Sequence, residues 1–187
     1  MNTQNVSQAI YSMEVSLQKS HPNAFQSALH VRDTQGNYVM ASDSQILAEA
    51  ERAIDFRYPT GTVFESPRAS GEFFRAKLAG RERECFAVAF LNNQHQLLAY
   101  GELFNGTISA VEVHPREIAR EALRINAAAV VLAHNHPSFS PEPSKADKTI
   151  TVRIKDALAL IGVRVLDHVV VAGNETTSMA ERGFVNF

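Results

Sequence analysis

Cysteine is almost missing from this 187-residue chain; Cys85 is the only one. One thiol excludes an intrachain disulfide framework, and its apolar surroundings mark Cys85 as a packing residue rather than a nucleophile. A basic excess is missing too. Eighteen Lys and Arg stand against 20 Asp and Glu, a formal net charge of −2, so the chain as a whole carries no nucleic-acid signature. No apolar run is long enough to cross a membrane. The opening Met1-Asn2-Thr3-Gln4-Asn5 has neither the basic nor the apolar region of a secretory leader. Internal repeats and low-complexity tracts are absent. The expected setting is the cytoplasm, with no membrane partner.

What is present is concentrated in His134-Asn135-His136-Pro137, followed by Ser144 and Asp147. Two imidazoles and a carboxylate are three ligands of an open, catalytic zinc site, with a fourth position left for water. The apolar run Ala127-Ala128-Ala129-Val130-Val131-Leu132-Ala133 before it reads as a buried strand. If the strand reaches the motif, His134 and His136 share a face, because side chains alternate with a period of two. Pro137 then stops it. Residues 138–143 read as a loop, and Ile150, Ile154, Leu158 and Ile161 recur at helical spacing after it. Ser144 is the expected N-cap and Asp147 the N3 residue of a capping box. The bland reading of that pair is capping alone; a carboxylate at the positive end of a helix also stays ionised, as a zinc ligand must.

Residues 1–62 read as an accessory region. It holds a weakly amphipathic helix at 6–17, a hairpin around Gln35-Gly36-Asn37, and a helix capped by Asp43. Residues 63–187 read as helix 67–79, strands 85–91 and 97–104, a short strand near 108–113, helix 115–126, strand 128–134, helix 145–161 and strand 163–172. Alternating helices and strands predict an α/β layer fold. A mixed sheet with helices on one face only is the alternative. Arg116, Arg120 and Arg124 form a stripe on one helix face, with Glu117 and Glu121 beside it, which favours a solvated face over a phosphate track.

The spacing from His134 to Asp147 matches the JAMM motif, and the chain resembles the RadC-like branch of the MPN-domain (JAB) zinc hydrolases. Gly101-Glu102-Leu103-Phe104-Asn105-Gly106-Thr107, Val113-His114-Pro115-Arg116-Glu117, Leu166-Asp167-His168 and Ser178-Met179-Ala180-Glu181-Arg182-Gly183 belong to that resemblance. It spans roughly residues 64–187 and resembles the short, stand-alone members. It implies a three-layer α-β-α, cytidine-deaminase-like arrangement with a mixed sheet. It also implies a catalytic glutamate at the start of the first strand after a helix, the position Glu84 holds. Glu102 is the rival for that role. One departure stands out: the family usually has Gly where this chain has Phe139. A positive φ there would strain a Phe.

The reading is a Zn²⁺-dependent amide hydrolase, a peptidase or isopeptidase acting on a peptide or protein. Zinc is held by His134, His136 and Asp147, with Glu84 as general base and Ser144 as oxyanion donor. The alternative is a DNA-associated repair or recombination factor, or a nuclease on the same metal site. A third reading is an inactive, metal-bound scaffold. His168 reads chiefly as a packed or hydrogen-bonded histidine, with a supporting role at the metal or a role towards substrate as the sharper reading.

Overall fold

The structure is a computed structural model that describes residues 29–106 and 112–187. The helix expected at 6–17 lies outside the described residues, as does most of the short strand expected near 108–113. The chain divides into two compact units, 1–47 and 48–187.

In the first unit, β1 (His30–Arg32) and β2 (Tyr38–Met40) form the expected antiparallel hairpin, with Val31 opposite Val39. Asp33 nucleates its turn by accepting from the N–H groups of Gln35 and Asn37. The following helix, α1 (Asp43–Arg57), is not capped by Asp43. Ser42 Oγ accepts from Gln45 N, while Gln45 Oε1 accepts from Ser42 N at 2.9 Å. Ser42 is therefore the N-cap of a capping box, and Asp43 is an acidic first-turn residue facing the helix dipole.

The second unit is built on a five-stranded mixed sheet. Its strands are β3 (Cys85–Leu91), β4 (Leu97–Asn105), β5 (Ala129–Asn135), β6 (Arg164–Ala172) and β7 (Glu175–Ser178), in the order β4-β3-β5-β6-β7. The β5–β6 pair is parallel, and the other pairs are antiparallel. Both faces are covered. Helix α2 (Pro67–Leu78) packs Phe73, Phe74 and Leu78 against Cys85, Ala87, Ala89, Val131 and Ala133. On the other face, Ile118 and Ala122 of α3 (Pro115–Ile125) and Ile154 and Leu158 of α4 (Lys145–Ala159) meet Phe86, Val88, Phe90, Val130 and Leu132. The fold is α/β, a three-layer α-β-α arrangement, and the one-face alternative is excluded. Small alanines beneath α2 leave room for its two phenyl rings, and the bulkier strand residues lie beneath α3 and α4, so both interfaces close-pack.

Helix α2 starts where Ser66 and Pro67 predict, with Ser66 Oγ accepting from Ala69 N. At Gly71, an added Cβ would stand 2.9 Å from Thr176 Oγ1, so glycine lets helix and edge strand approach without displacing that side chain. Strand β7 was not expected. Its polar Glu-Thr-Thr-Ser sequence hides it, although Gly173-Asn174 just before it is a two-residue hairpin signal.

The compact unit carrying the sheet begins before residue 63. Ile54 and Tyr58 pack on the α2-side core, and the Tyr58 ring meets Phe73 edge-on at 5.6 Å. The buried Lys77 ammonium lies 2.8 Å from Asp55. A chain starting at Val63 loses all of these partners, whereas one starting at Ala48 keeps them. Loss of the apolar cover from Ile54 and Tyr58 is the expected cost, with about 1 kcal/mol of it from the aromatic pair. Urea unfolding is expected to show a clearly lower midpoint for the Val63 start than for the Ala48 start. Equal midpoints would place the boundary at 62/63.

Cys85 is buried at the start of β3, and its thiol is raised to about 12 by burial first and by neighbouring Glu102 second. The native protein at pH 8 is therefore expected to leave an aromatic disulfide reagent unreacted, with one thiol per chain appearing only on unfolding.

Candidate metal centre

The site forms where β5 runs out beneath the start of α4. All seven β5 residues are buried, and the parallel ladder to β6 pairs His134 with Val170 and Asn135 with Val171. His136 extends the ladder by one bond, donating its N–H to Val171 O at 2.8 Å. His134 and His136 therefore leave the same face, as the period of two requires. Pro137 ends the run, and a turn closes with Phe139 N donating to His136 O at 3.0 Å.

The carboxylate arrives from α4. Ser144 Oγ accepts from Asp147 N at 3.1 Å, and Asp147 Oδ2 accepts from Ser144 N at 2.6 Å. The capping box is complete and holds the Asp147 side chain rigidly. Capping and metal ligation are thus compatible. The same carboxylate has Oδ1 3.4 Å from His134 Nε2 and Oδ2 3.5 Å from His136 Nε2.

The donor set suits a cation. His136 Nδ1 lies 2.7 Å from the Ser140 carbonyl, which can only accept, so Nδ1 carries the hydrogen and a neutral ring keeps Nε2 bare. The two Nε2 atoms of His134 and His136 are 2.9 Å apart. Atom-to-atom separations of 2.9, 3.4 and 3.5 Å bracket the edge of a tetrahedron drawn with zinc bonds, about 3.3 Å. Electrostatics agree. Burial opposes the Asp147 charge, yet the imidazoles of His134 and His136 together with Ser144 hold its carboxyl well below the usual range. Asp147, against the effect of burial, raises His136. The cluster favours a positive charge at its centre, and among the described residues it is the one group of this composition with convergent ligand atoms.

Glu84 lies just before β3 and lines the same cleft as His136, Ser144 and Asp147, a space of about 970 Å³. Burial first, and then Asp147, raises its carboxyl, with the two histidines acting the other way. Its position is fixed by a residue that sequence reasoning missed. Asn135 points to the opposite face from the histidines, where Oδ1 accepts from Cys85 N at 2.8 Å and Nδ2 donates to the carbonyls of Arg81 and Arg83. One buried amide therefore clamps the turn that presents Glu84. Its position between two motif histidines on a period-two strand was the available signal.

Glu102 lies elsewhere. Regular alternation along β4 would set Leu97 and Glu102 on opposite faces, but the pairing skips Leu98 and Leu103. These bulges reset the alternation, so Leu97, Tyr100 and Glu102 all share the α2 face. There Glu102 accepts from Arg81 at 2.8 Å and from the Tyr100 hydroxyl at 3.1 Å. The sheet separates it from the metal cluster.

Phe139 adopts φ 59°, the left-handed conformation that the glycine of the resembled family suggested. Its exposed ring lies over Gly173, where an added Cβ would stand 2.7 Å from the phenyl edge. The ring points away from the cleft and does not block it: it lines a separate small cavity of about 350 Å³ behind His136 and Pro137. Arg120 and Arg124 are ion-paired to Glu117 and Glu121 on an exposed face, which is the bland reading of that stripe. His168 is fully buried, and burial drives its pKa well below the ordinary value.

Residues 64–184 match the RadC-like JAB domain model. A UPF0758 protein of Vibrio cholerae serotype O1 is 53% identical over 145 residues, covering 78% of this chain and 91% of that one. A second from the same organism is 48% identical over 143 residues, covering 76% and 90%. A UPF0758 protein of Methylibium petroleiphilum is 49% identical over 140 residues, but the match covers only 63% of its length against 75% of this chain. Mixed sheet, helices on both faces and the matched span through the histidines agree: the chain belongs to the RadC-like JAB domain family.

Proposed function

We propose that this protein is a zinc-dependent hydrolase of amide bonds in a peptide or protein, a metallopeptidase or isopeptidase. Family membership supports the coarser statement, a metal-dependent hydrolase or repair-related function. The finer reading rests on one observation: three metal-ligand side chains converge in the cleft that also holds a half-buried glutamate and a hydroxyl whose proton is uncommitted. Zinc held by His134, His136 and Asp147 would supply a water that ionises near neutral pH and would polarise a carbonyl. Glu84 takes the proton of the attacking water and passes it to the departing amine nitrogen. A carboxyl raised by burial suits both halves of that transfer. Ser144 Oγ accepts from Asp147 N, and its own proton has no partner among the described residues. That proton is available to the carbonyl oxygen as negative charge develops there.

The walls favour a peptide over a polyanion. Among the described residues, Glu84, Glu112, Glu142 and Asp147 line the cleft against Lys145 and Arg153, with Glu142 paired to Arg182. Phosphodiesters would meet net negative charge before the cation. Among the described residues no helix is long and apolar enough to cross a membrane. Zinc-loaded protein should cleave peptide or isopeptide substrates, lose that activity to a chelator and regain it with zinc. Metal analysis should give one zinc per chain, lost in a folded His136→Ala variant. Cleavage of nucleic acid alone would overturn the amide reading.

A further inference from the structure

Behind the metal ligands runs a short buried chain of side chains: Thr151, His168 and His134. Thr151 Oγ1 lies 2.5 Å from the Asp147 carbonyl one turn earlier in α4, and 2.6 Å from His168 Nδ1. A hydroxyl has one proton, and the carbonyl can only accept. Thr151 therefore donates to Asp147 O and must accept from His168, which puts the imidazole hydrogen on Nδ1. The His168 ring is fully enclosed, has Thr151 and His134 as its hydrogen-bond partners among the described residues, and meets Phe86 edge-on at 5.3 Å. Such a ring is neutral, so its Nε2 is bare. That bare nitrogen lies 2.8 Å from His134 Nδ1, which must carry the hydrogen in turn. His134 Nε2 is left without one, and it is the atom that faces His136 and Asp147.

We propose that His168 and Thr151 are positioning residues that fix His134 as its Nδ1–H tautomer, and so prepare it as a metal ligand before any metal arrives. The relay starts at the backbone of Asp147 and ends at the ring of His134. It therefore ties the helix turn carrying one ligand to the strand carrying another. Histidine ligands usually donate to a carboxylate, a carbonyl or water; here the acceptor is a neutral imidazole, itself oriented by a threonine. This inference rests on the metal-centre reading, and not on the choice of amide as substrate.

The test measures zinc affinity by competition with a chromogenic chelator, together with imidazole ¹⁵N–¹H spectra of the zinc-free protein. Wild type should show His134 as the Nδ1–H tautomer. The nearly isosteric Thr151→Val should weaken zinc binding about 10–100-fold and mix the His134 tautomers. Thr151→Ser, which restores the hydroxyl, should recover both. His168→Leu should act as Thr151→Val does, and His168→Gln, whose carbonyl can accept from His134, should be milder. If His168→Leu does not fold, the threonine pair decides alone. Unchanged affinity and tautomer in folded Thr151→Val would overturn the relay, as would an Nε2–H His134 in wild type. If wild type binds no zinc, the metal-centre reading falls and takes this proposal with it, whatever the tautomer.

Discussion

Glu84→Gln is expected to keep its zinc and to lose turnover by about 10²–10⁴-fold. Gln preserves the size and hydrogen bonding of the side chain but cannot take up the proton of an attacking water. The backbone of the turn should be undisturbed, because it is held by Asn135 and by Gly106 N donating to Glu84 O at 2.8 Å. Loss should appear in kcat rather than KM, since the group acts in the transition state. A second readout checks the same assignment from the side of stability. Burial raises the Glu84 carboxyl above its unfolded value. The zinc-free fold thus binds this proton more tightly than the unfolded chain does, and stability falls as pH rises from the unfolded pKa through the folded one. Above that window the half-buried carboxylate is a cost that Gln does not carry. Zinc-free Glu84→Gln should therefore be more stable than wild type near pH 7–8, with the difference closing at acid pH. Retained turnover in a zinc-loaded Gln variant would remove Glu84 from the mechanism. Glu102→Gln, across the sheet, should leave turnover within a few-fold of wild type.

The convergence of His134, His136 and Asp147 was legible because their geometry is local. A period-two strand fixes His134 against His136, and a capping box fixes Ser144 against Asp147, so fourteen residues of chain carry the cluster. That Glu84 shares the cleft with these side chains was expected only through the family resemblance, since nothing in Arg81-Glu82-Arg83-Glu84 itself marks one glutamate as half-buried. The side of the sheet that Glu102 takes is not legible, because a bulge leaves no local mark in sequence: Leu98 looks like an ordinary strand residue. The supporting side chains were hidden for a different reason. Asn135 reaches a turn some fifty residues away, and Thr151 reaches His168 seventeen residues on. Such pairs exist only after the sheet has brought β3, β5 and β6 together. The second half of α1 was read as part of a separate region because its Ile54, Tyr58 and Asp55 find their partners, Phe73 and Lys77, beyond the Pro59-Thr60-Gly61 turn.

Ser144→Ala is expected to lower turnover by about 10²–10³-fold while zinc stays bound. Two roles of one hydroxyl are removed together, and they separate by readout. Loss of the side-chain cap leaves Asp147 N without its 3.1 Å partner and should cost about 1 kcal/mol of stability. The other half of the capping box survives, because Asp147 Oδ2 accepts from the backbone N–H of residue 144, not from its side chain. The ligand should therefore stay oriented, which is why zinc affinity is expected to change little. The catalytic deficit must then come from the missing donor at the developing oxyanion, and it should fall on kcat. Ser144→Thr keeps a hydroxyl and should retain the cap, recovering activity as far as its added methyl leaves the donor direction intact. If Ser144→Ala instead sheds zinc in step with its loss of turnover, Ser144 acts only by holding Asp147, and the oxyanion role is wrong. If the Ala variant is destabilised as expected yet turns over like wild type, the hydroxyl is a helix cap and nothing more.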